Sequence, residues 1–185
     1  MAFAHGSGSG RFSPRNQYVA NVLQESGLAT FLMDLLEEAE SEDRQKVFNI
    51  ELLAERLTAA GKWLARNPLT RDLRLGYFGA STGAGAALVA AARHPDAVHA
   101  VVSRGGRPDL ASGYLAKVQA PTVLIVGGED HVGIELNRQA LDELLCEKEF
   151  VIIPGATHLF EEPGALEEVA RLAAEWFARH LVGTQ

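Results

Sequence analysis

Apolar and polar positions change period several times along this chain. The short runs Leu73–Phe78, Ala97–Ser103, Thr122–Val126 and Glu149–Ile153 are rich in apolar and β-branched residues and read as strands, mostly without the alternation of a half-exposed sheet. Between them the apolar positions fall at helical spacing. Arg15–Ser26 carries Tyr18, Val19, Val22 and Leu23, and is followed by Gly27 and a strand over Leu28–Met33. Phe48–Arg66 repeats Ile50, Leu53, Leu57 and Leu64 on one face and ends near Pro68. Ala84–Ala92 is dominated by alanine, a strong helix former that lets a helix approach a sheet closely. Ile134–Leu145 and Glu161–Leu181 are further helices, the last with the stripe Leu166, Val169, Ala173, Trp176 and Phe177, which is core packing. Glu37–Lys46 is charged and reads as a solvated connection. Strand and helix alternate, which predicts an α/β domain with a parallel sheet covered on both faces.

One junction in this alternation carries candidate chemistry. Gly79, Ser81 and Gly83 satisfy G-x-S-x-G between the strand ending at Phe78 and a helix from Thr82 to about Arg93. In a nucleophile elbow a serine sits on a strained strand-to-helix turn, and side chains two residues to either side would collide with it. Free N–H groups at the helix start then favour a developing negative charge. The competing reading is a tight turn in which Ser81 merely caps the helix. What separates the two is whether an acid and a base follow. Asp130 comes just beyond the strand that breaks at Gly127-Gly128, and His158 sits in the loop after the strand ending near Ile153. Ser, Asp and His thus occur in that order, each placed after a strand.

With those residues in view, the chain resembles the α/β-hydrolases of the dienelactone-hydrolase-like group over nearly its whole length. The resemblance is carried by the His5-Gly6-Ser7-Gly8 loop, the Gly79–Gly83 elbow, the Gly127-Gly128-Glu129-Asp130 turn, and Gly155-Ala156-Thr157-His158 with Phe160 and Pro163 behind it. Dienelactone hydrolase itself uses a cysteine nucleophile, whereas this chain has serine, so the resemblance implies ester or related acyl hydrolysis and not the dienelactone substrate. It implies that Ser81 attacks a carbonyl, His158 takes the proton and Asp130 orients the imidazole. The backbone N–H groups of Thr82 and Ser7 would form the oxyanion hole. It further implies a single domain over residues 1–185, with about six strands where the fold usually has eight, the first two strands being absent and no lid domain present. Either the chain is minimal at its N-terminus or its gene product starts upstream. The strand at 28–33 would then be an edge with little charge, open to pairing with a second subunit.

Other candidates have competing readings. Glu129 is an alternative acid, although the family's turn pattern favours Asp130. His131 reads as a loop histidine, His5 as a brace for the oxyanion loop, and His94, His99 and His180 as solvated. Asp34 fits a structural hydrogen-bonding role. Arg104 and Arg107 follow a strand on the catalytic side and are candidates to hold a carboxylate or phosphate of the substrate, against the reading that they are surface or ion-paired residues. The short connection between Ser103 and Thr122 leaves no room for a helical lid, which favours an open site and short, soluble esters.

Composition narrows this picture. The chain has 185 residues, 47% of them apolar, enough for one core. A net charge of −7 argues against nucleic acid as a partner. Arg11 stands where a dinucleotide fingerprint needs its third glycine, no P-loop triplet occurs, and neither metal-ligand spacing nor any cofactor motif is found. Cys146 is the lone cysteine, which suits a reducing cytoplasm, and the apolar runs are too short to span a membrane. The sequence expectation is therefore a cytoplasmic serine esterase. The alternatives are lactone or thioester cleavage or acyl transfer on the same triad, and a weakly active truncated fold serving as an interaction module. Substrate, acyl acceptor and oligomeric state are left open.

Overall fold

The computed structural model describes residues 1–182. Its sheet has six parallel strands: β1 (Ala2–Ala4), β2 (Phe31–Leu32), β3 (Leu75–Ala80), β4 (Val98–Arg104), β5 (Thr122–Gly127) and β6 (Lys148–Ile153), in the order β2-β1-β3-β4-β5-β6. The order reverses direction around β1, so the loops after β1 and β3 open side by side, the usual place for a ligand in an open α/β sheet. The helices are α1 (Pro14–Glu25), α2 (Glu38–Ser41), α3 (Arg44–Val47), α4 (Ile50–Leu64), α5 (Thr82–Arg93), α6 (His131–Glu143) and α7 (Ala165–Leu181).

Two apolar layers sandwich the sheet. On one side α4, α5 and α6 pack over Ala4, Tyr77, Val101 and Leu124, and on the other α1 and α7 pack over Phe3, Phe78, Ala100, Val102 and Ile125. Helix α5 is buried along Thr82–Ala91, and its run of alanines lets α4 lie over it. The predicted faces hold: Ile50, Leu53, Leu57 and Leu64 of α4 are buried, as are Val169, Ala173, Trp176 and Phe177 of α7, with Leu166 half-buried at the edge. Of the four apolar positions read in α1, Val19 and Leu23 are buried, Val22 is half-buried and Tyr18 is exposed.

Several expectations change. The helix read from Glu161 begins at Ala165, after Gly164 in the left-handed region (φ 82°), and the strand read over Leu73–Phe78 runs Leu75–Ala80. The strand expected over 28–33 shortens to Phe31–Leu32, because α1 closes on Gly27 (φ 79°) with Leu28 N–H donating to Leu23 O, which pulls Leu28 into the core. The stretch 37–46 is not a plain solvated connection but the single turns α2 and α3. Glu37 and Glu40 form a capping box there, and Arg56 of α4 ties the segment down by donating to Glu40 (2.9 Å) and to Leu35 O (2.8 Å). Helix α6 starts three residues early, so His131 is helical, because Asp130 caps it. The connection 105–121 holds only two 3₁₀ turns, Pro108–Ala111 and Leu115–Lys117.

Candidate active site

Strand β3 runs straight into α5 through Ser81, whose backbone sits at φ 50°, ψ −121°. Positive φ is costly for a residue with a Cβ, on the order of 1–3 kcal/mol, and persists only where the surroundings enforce it. Packing supplies that enforcement. A Cβ added at Gly79 would lie 2.4 Å from Ala84 Cα, and one at Gly83 would lie 2.1 Å from Ala4 O, so both flanking positions exclude any side chain. Ser81 makes no side-chain cap bond to α5, which removes the reading of a plain N-cap serine. Its backbone is held by Arg104 O, which accepts from Ser81 N–H (3.3 Å), and by Arg107 N–H, which donates to Ser81 O (3.1 Å).

The expected acid and base meet. Asp130 Oδ2 lies 2.7 Å from His158 Nδ1, and Asp130 Oδ1 accepts from Gly133 N–H at 2.9 Å as the cap of α6. One carboxylate therefore starts a helix with one oxygen and orients an imidazole with the other. The Asp130 side chain is 14% exposed and that of His158 is 42% exposed, so the acid is sheltered while the ring faces the opening. No hydrogen bond joins Ser81 Oγ to His158 among the described residues. The two loops are nevertheless neighbours: Gly105, the residue after β4, packs against His158 O and lies close to His158 Cε1. Catalytic hydrogen bonds are often long in a ligand-free site and tighten on binding.

The loop after β1 closes the site from the other side. Gly6 packs directly on Ser81 Cβ, and Ser7 and Thr82 line one small hollow together with His5 and Gly8. His5 is buried; its Nε2 accepts from Leu35 N–H (2.8 Å) and its Nδ1 donates to Gly6 O (2.9 Å), so both ring nitrogens are spent on bracing. Asp34 accepts from the Arg11 N–H (2.7 Å) and guanidinium (2.8 Å) and anchors the far end of the same loop. Sequence reasoning missed Asn137. Buried in α6, it donates to Gly106 O (3.0 Å) and Gly133 O (2.9 Å), joining the acid's helix to the loop after β4. Its only sequence signal was a polar residue on an apolar helix face.

The two arginines at the end of β4 part company. Arg107 makes a bidentate pair with Asp109 (2.8 and 2.7 Å), which holds its guanidinium above its ordinary pKa. Arg104 is buried without an ion pair among the described residues, and burial followed by repulsion from Arg15 pulls its pKa down to about 10. A hollow of about 440 Å³ lies at the opposite ends of the strands among Phe31, Trp63, Leu73 and Tyr77, and holds none of the three candidate catalytic residues. No group of three or more metal-ligating side chains is found among the described residues.

A family model described as "Dienelactone hydrolase family" matches residues 18–181. The chain belongs to that family. A dienelactone hydrolase from Anabaena variabilis has the same structure at TM-score 0.94 and 61% identity, covering 97% of this chain and 85% of that one. Est1E from Butyrivibrio proteoclasticus, at 16% identity and TM-score 0.81 over 96% of this chain and 86% of its own, shares the fold. A protein of Mycobacterium tuberculosis provisionally named a phosphoribosyl transferase is 59% identical over 183 residues, 99% of this chain and 41% of that protein. The chain thus spans about two fifths of the length of the curated relatives it matches. Family membership agrees with the six-stranded parallel sheet in giving this chain the α/β-hydrolase fold.

Proposed function

We propose that this chain is a serine hydrolase that cleaves short, soluble carboxylic esters through an acyl-enzyme on Ser81. The observation that carries this reading is the pairing of a serine at φ 50° on a strand-to-helix turn with the Asp130–His158 hydrogen bond of 2.7 Å. With Nδ1 engaged by Asp130, the ring's Nε2 is left to take the serine proton and return it to the leaving alcohol. Thr82 N–H, free at the start of α5, and Ser7 N–H in the glycine-rich loop would receive the oxyanion; loss of one such donor costs about 3–4 kcal/mol. The short cover over 105–121 favours small substrates, since a long acyl chain needs an apolar groove.

The family's description favours lactones as a second substrate class on the same residues, because a cyclic ester opens through the same acyl-enzyme. What the longer Mycobacterium tuberculosis relatives do as whole proteins is a separate matter from the chemistry of the segment matched here. No helix among the described residues is long and apolar enough to cross a membrane, and we place the chain in a reducing cytoplasm on the strength of its lone cysteine.

The test is hydrolysis of p-nitrophenyl acetate and butyrate by the chain and by Ser81→Ala, with intact-mass detection of a fluorophosphonate adduct on each. Activity and labelling lost together in the variant are expected. A folded wild-type protein with neither turnover nor adduct would overturn the proposal and favour a non-catalytic module.

A further inference from the structure

At the end of the sheet away from Ser81 lies a concavity that the triad does not use. Phe31 of β2, Ala2 of β1 and Tyr77 of β3 are register partners, so their side chains stand in one row on the α4 side of the sheet. The two outer backbones are roughly 10 Å apart, two strand spacings, and the residue between them offers only a methyl group. Helix α4 adds no bulk opposite Tyr77 either, because the residue there is Gly61, where a Cβ would lie 2.8 Å from Tyr77 Oη. The two rings are therefore kept apart, and the hollow of about 440 Å³ that both of them line opens at this row.

Its walls are apolar. Trp63 lies 5.7 Å from Phe31, ring centre to ring centre, and Leu69, Leu73 and Leu75 complete the lining nearby. Trp63 is 54% exposed, Leu69 88% and Leu73 54%. Single exposed apolar residues need no explanation, but several gathered around one concavity mark a binding surface. The floor holds a polar group without a partner. Tyr77 is 2% exposed, yet its hydroxyl makes no hydrogen bond among the described residues, and burial pushes its pKa up, so it remains a donor. A buried phenol ordinarily finds a partner. The rim is basic: the ionisable side chains lining the hollow are Lys62, Arg74, His94 and His99, with no Asp or Glu, in a chain of net charge −7. Lys62 and Arg74 are exposed, and the ion pair beside them in the chain, Arg71–Asp72, involves neither.

We propose that this hollow binds a small aromatic carboxylate whose far end carries a hydroxyl or carbonyl oxygen. The ring lies against Phe31, Trp63 and Leu75, and the far oxygen meets Tyr77 Oη on the floor. The carboxylate stays at the rim, where Lys62 and Arg74 balance it while it keeps part of its water. A cationic ligand would be repelled by that rim, and a purely aliphatic one would leave the aromatic pair without a stacking partner. The size agrees, since a cavity of about 150 Å³ takes benzene and a ring with a short acid arm needs more. Although Tyr77 and the turn at Ser81 share β3, the hollow opens at the strand's other end, so the site stands apart from the esterase reading and is tested by binding alone.

The experiment is isothermal titration calorimetry of the chain with 3-(4-hydroxyphenyl)propionate, with 3-phenylpropionate, which lacks the far hydroxyl, and with the methyl ester of the hydroxy acid, which lacks the charge. The ester is titrated into the Ser81→Ala protein so that it is not consumed. The hydroxy acid is expected to bind with a Kd below about 1 mM, a modest demand on a ligand of about a dozen atoms, and up to about tenfold more tightly than 3-phenylpropionate. Tyr77→Phe should erase that preference while melting no lower than wild type, because the hydroxyl it removes has no partner in the fold. Lys62→Glu with Arg74→Glu should weaken both acids at least tenfold and leave the methyl ester unchanged, and Trp63→Ala should weaken all three. Absence of binding by either acid, or a preference that survives Tyr77→Phe, overturns the proposal whether or not Ser81 is active. Equal affinity for acid and methyl ester in the wild type removes the basic rim from the site and overturns it as stated. A dimer in sedimentation velocity that Trp63→Ala breaks, with no heat from any of the three compounds, assigns the hollow to a second copy of the chain and likewise overturns it.

Discussion

Replacing Asp130 by asparagine separates what this residue does for the fold from what it does for the base. Oδ1 accepts from Gly133 N–H at 2.9 Å while Oδ2 faces His158 Nδ1 at 2.7 Å. In Asp130→Asn the carbonyl oxygen must stay on Gly133, because an amide N–H there would oppose another donor. The new NH₂ then faces His158, which is forced to present a bare Nδ1 and carry its proton on Nε2, the nitrogen that should accept from Ser81. Asparagine and aspartate cap helices about equally well, so stability should change by less than about 1 kcal/mol, or roughly 2–4 °C in melting temperature for a chain of this size. Activity should fall by about 10⁴-fold, equivalent to about 5 kcal/mol of transition-state stabilisation. The assay is kcat/KM on p-nitrophenyl butyrate alongside a thermal melt of the same sample. Activity within tenfold of wild type at unchanged stability would refute the role given to Asp130, and the reasoning from the tautomer with it.

Three further outcomes are expected. Gly83→Ala forces a Cβ against Ala4 O at 2.1 Å, and because both sides are backbone the cost should reach or exceed the roughly 1–3 kcal/mol of ordinary overpacking; a urea midpoint equal to wild type would contradict it. Glu162 accepts from Thr157 Oγ1 (2.6 Å) and N–H (3.0 Å), which hold its carboxyl below the ordinary value. The stability it adds to the His158 loop is therefore complete above the ordinary carboxylate range and is lost as pH falls through the lowered folded value. Melting temperature against pH from about 6 to 3 should fall less steeply in Glu162→Gln, and superimposable curves would remove the linkage. Finally, β2 is an edge strand of Phe31–Leu32, and pairing there should give concentration-dependent dimers in sedimentation velocity, whereas a strict monomer at high micromolar concentration would exclude it.

The sequence by itself was enough for the sheet and for the order of its chemistry. Runs such as Thr122–Gly127 can be buried only on both faces, and Gly79 and Gly83 around Ser81 signal a turn too crowded for side chains, which the contacts with Ala84 and Ala4 explain. Those signals are local, being set by β-branching, helical period and the absence of a Cβ. The bounds of β2 and of α6 escaped because they depend on caps: Leu28 follows Gly27 into the end of α1, and Asp130 starts a helix while it binds His158. Asn137 was invisible for a related reason, since its partners, Gly106 and Gly133, are brought together only when β4 and α6 pack. The two arginines make the division plain. In the chain Arg104 and Arg107 are equivalent candidates three residues apart, and nothing local says that Asp109 neutralises one while the α1 layer buries the other beside Arg15. Which charge is satisfied is a property of what surrounds it, and tertiary packing alone decides that.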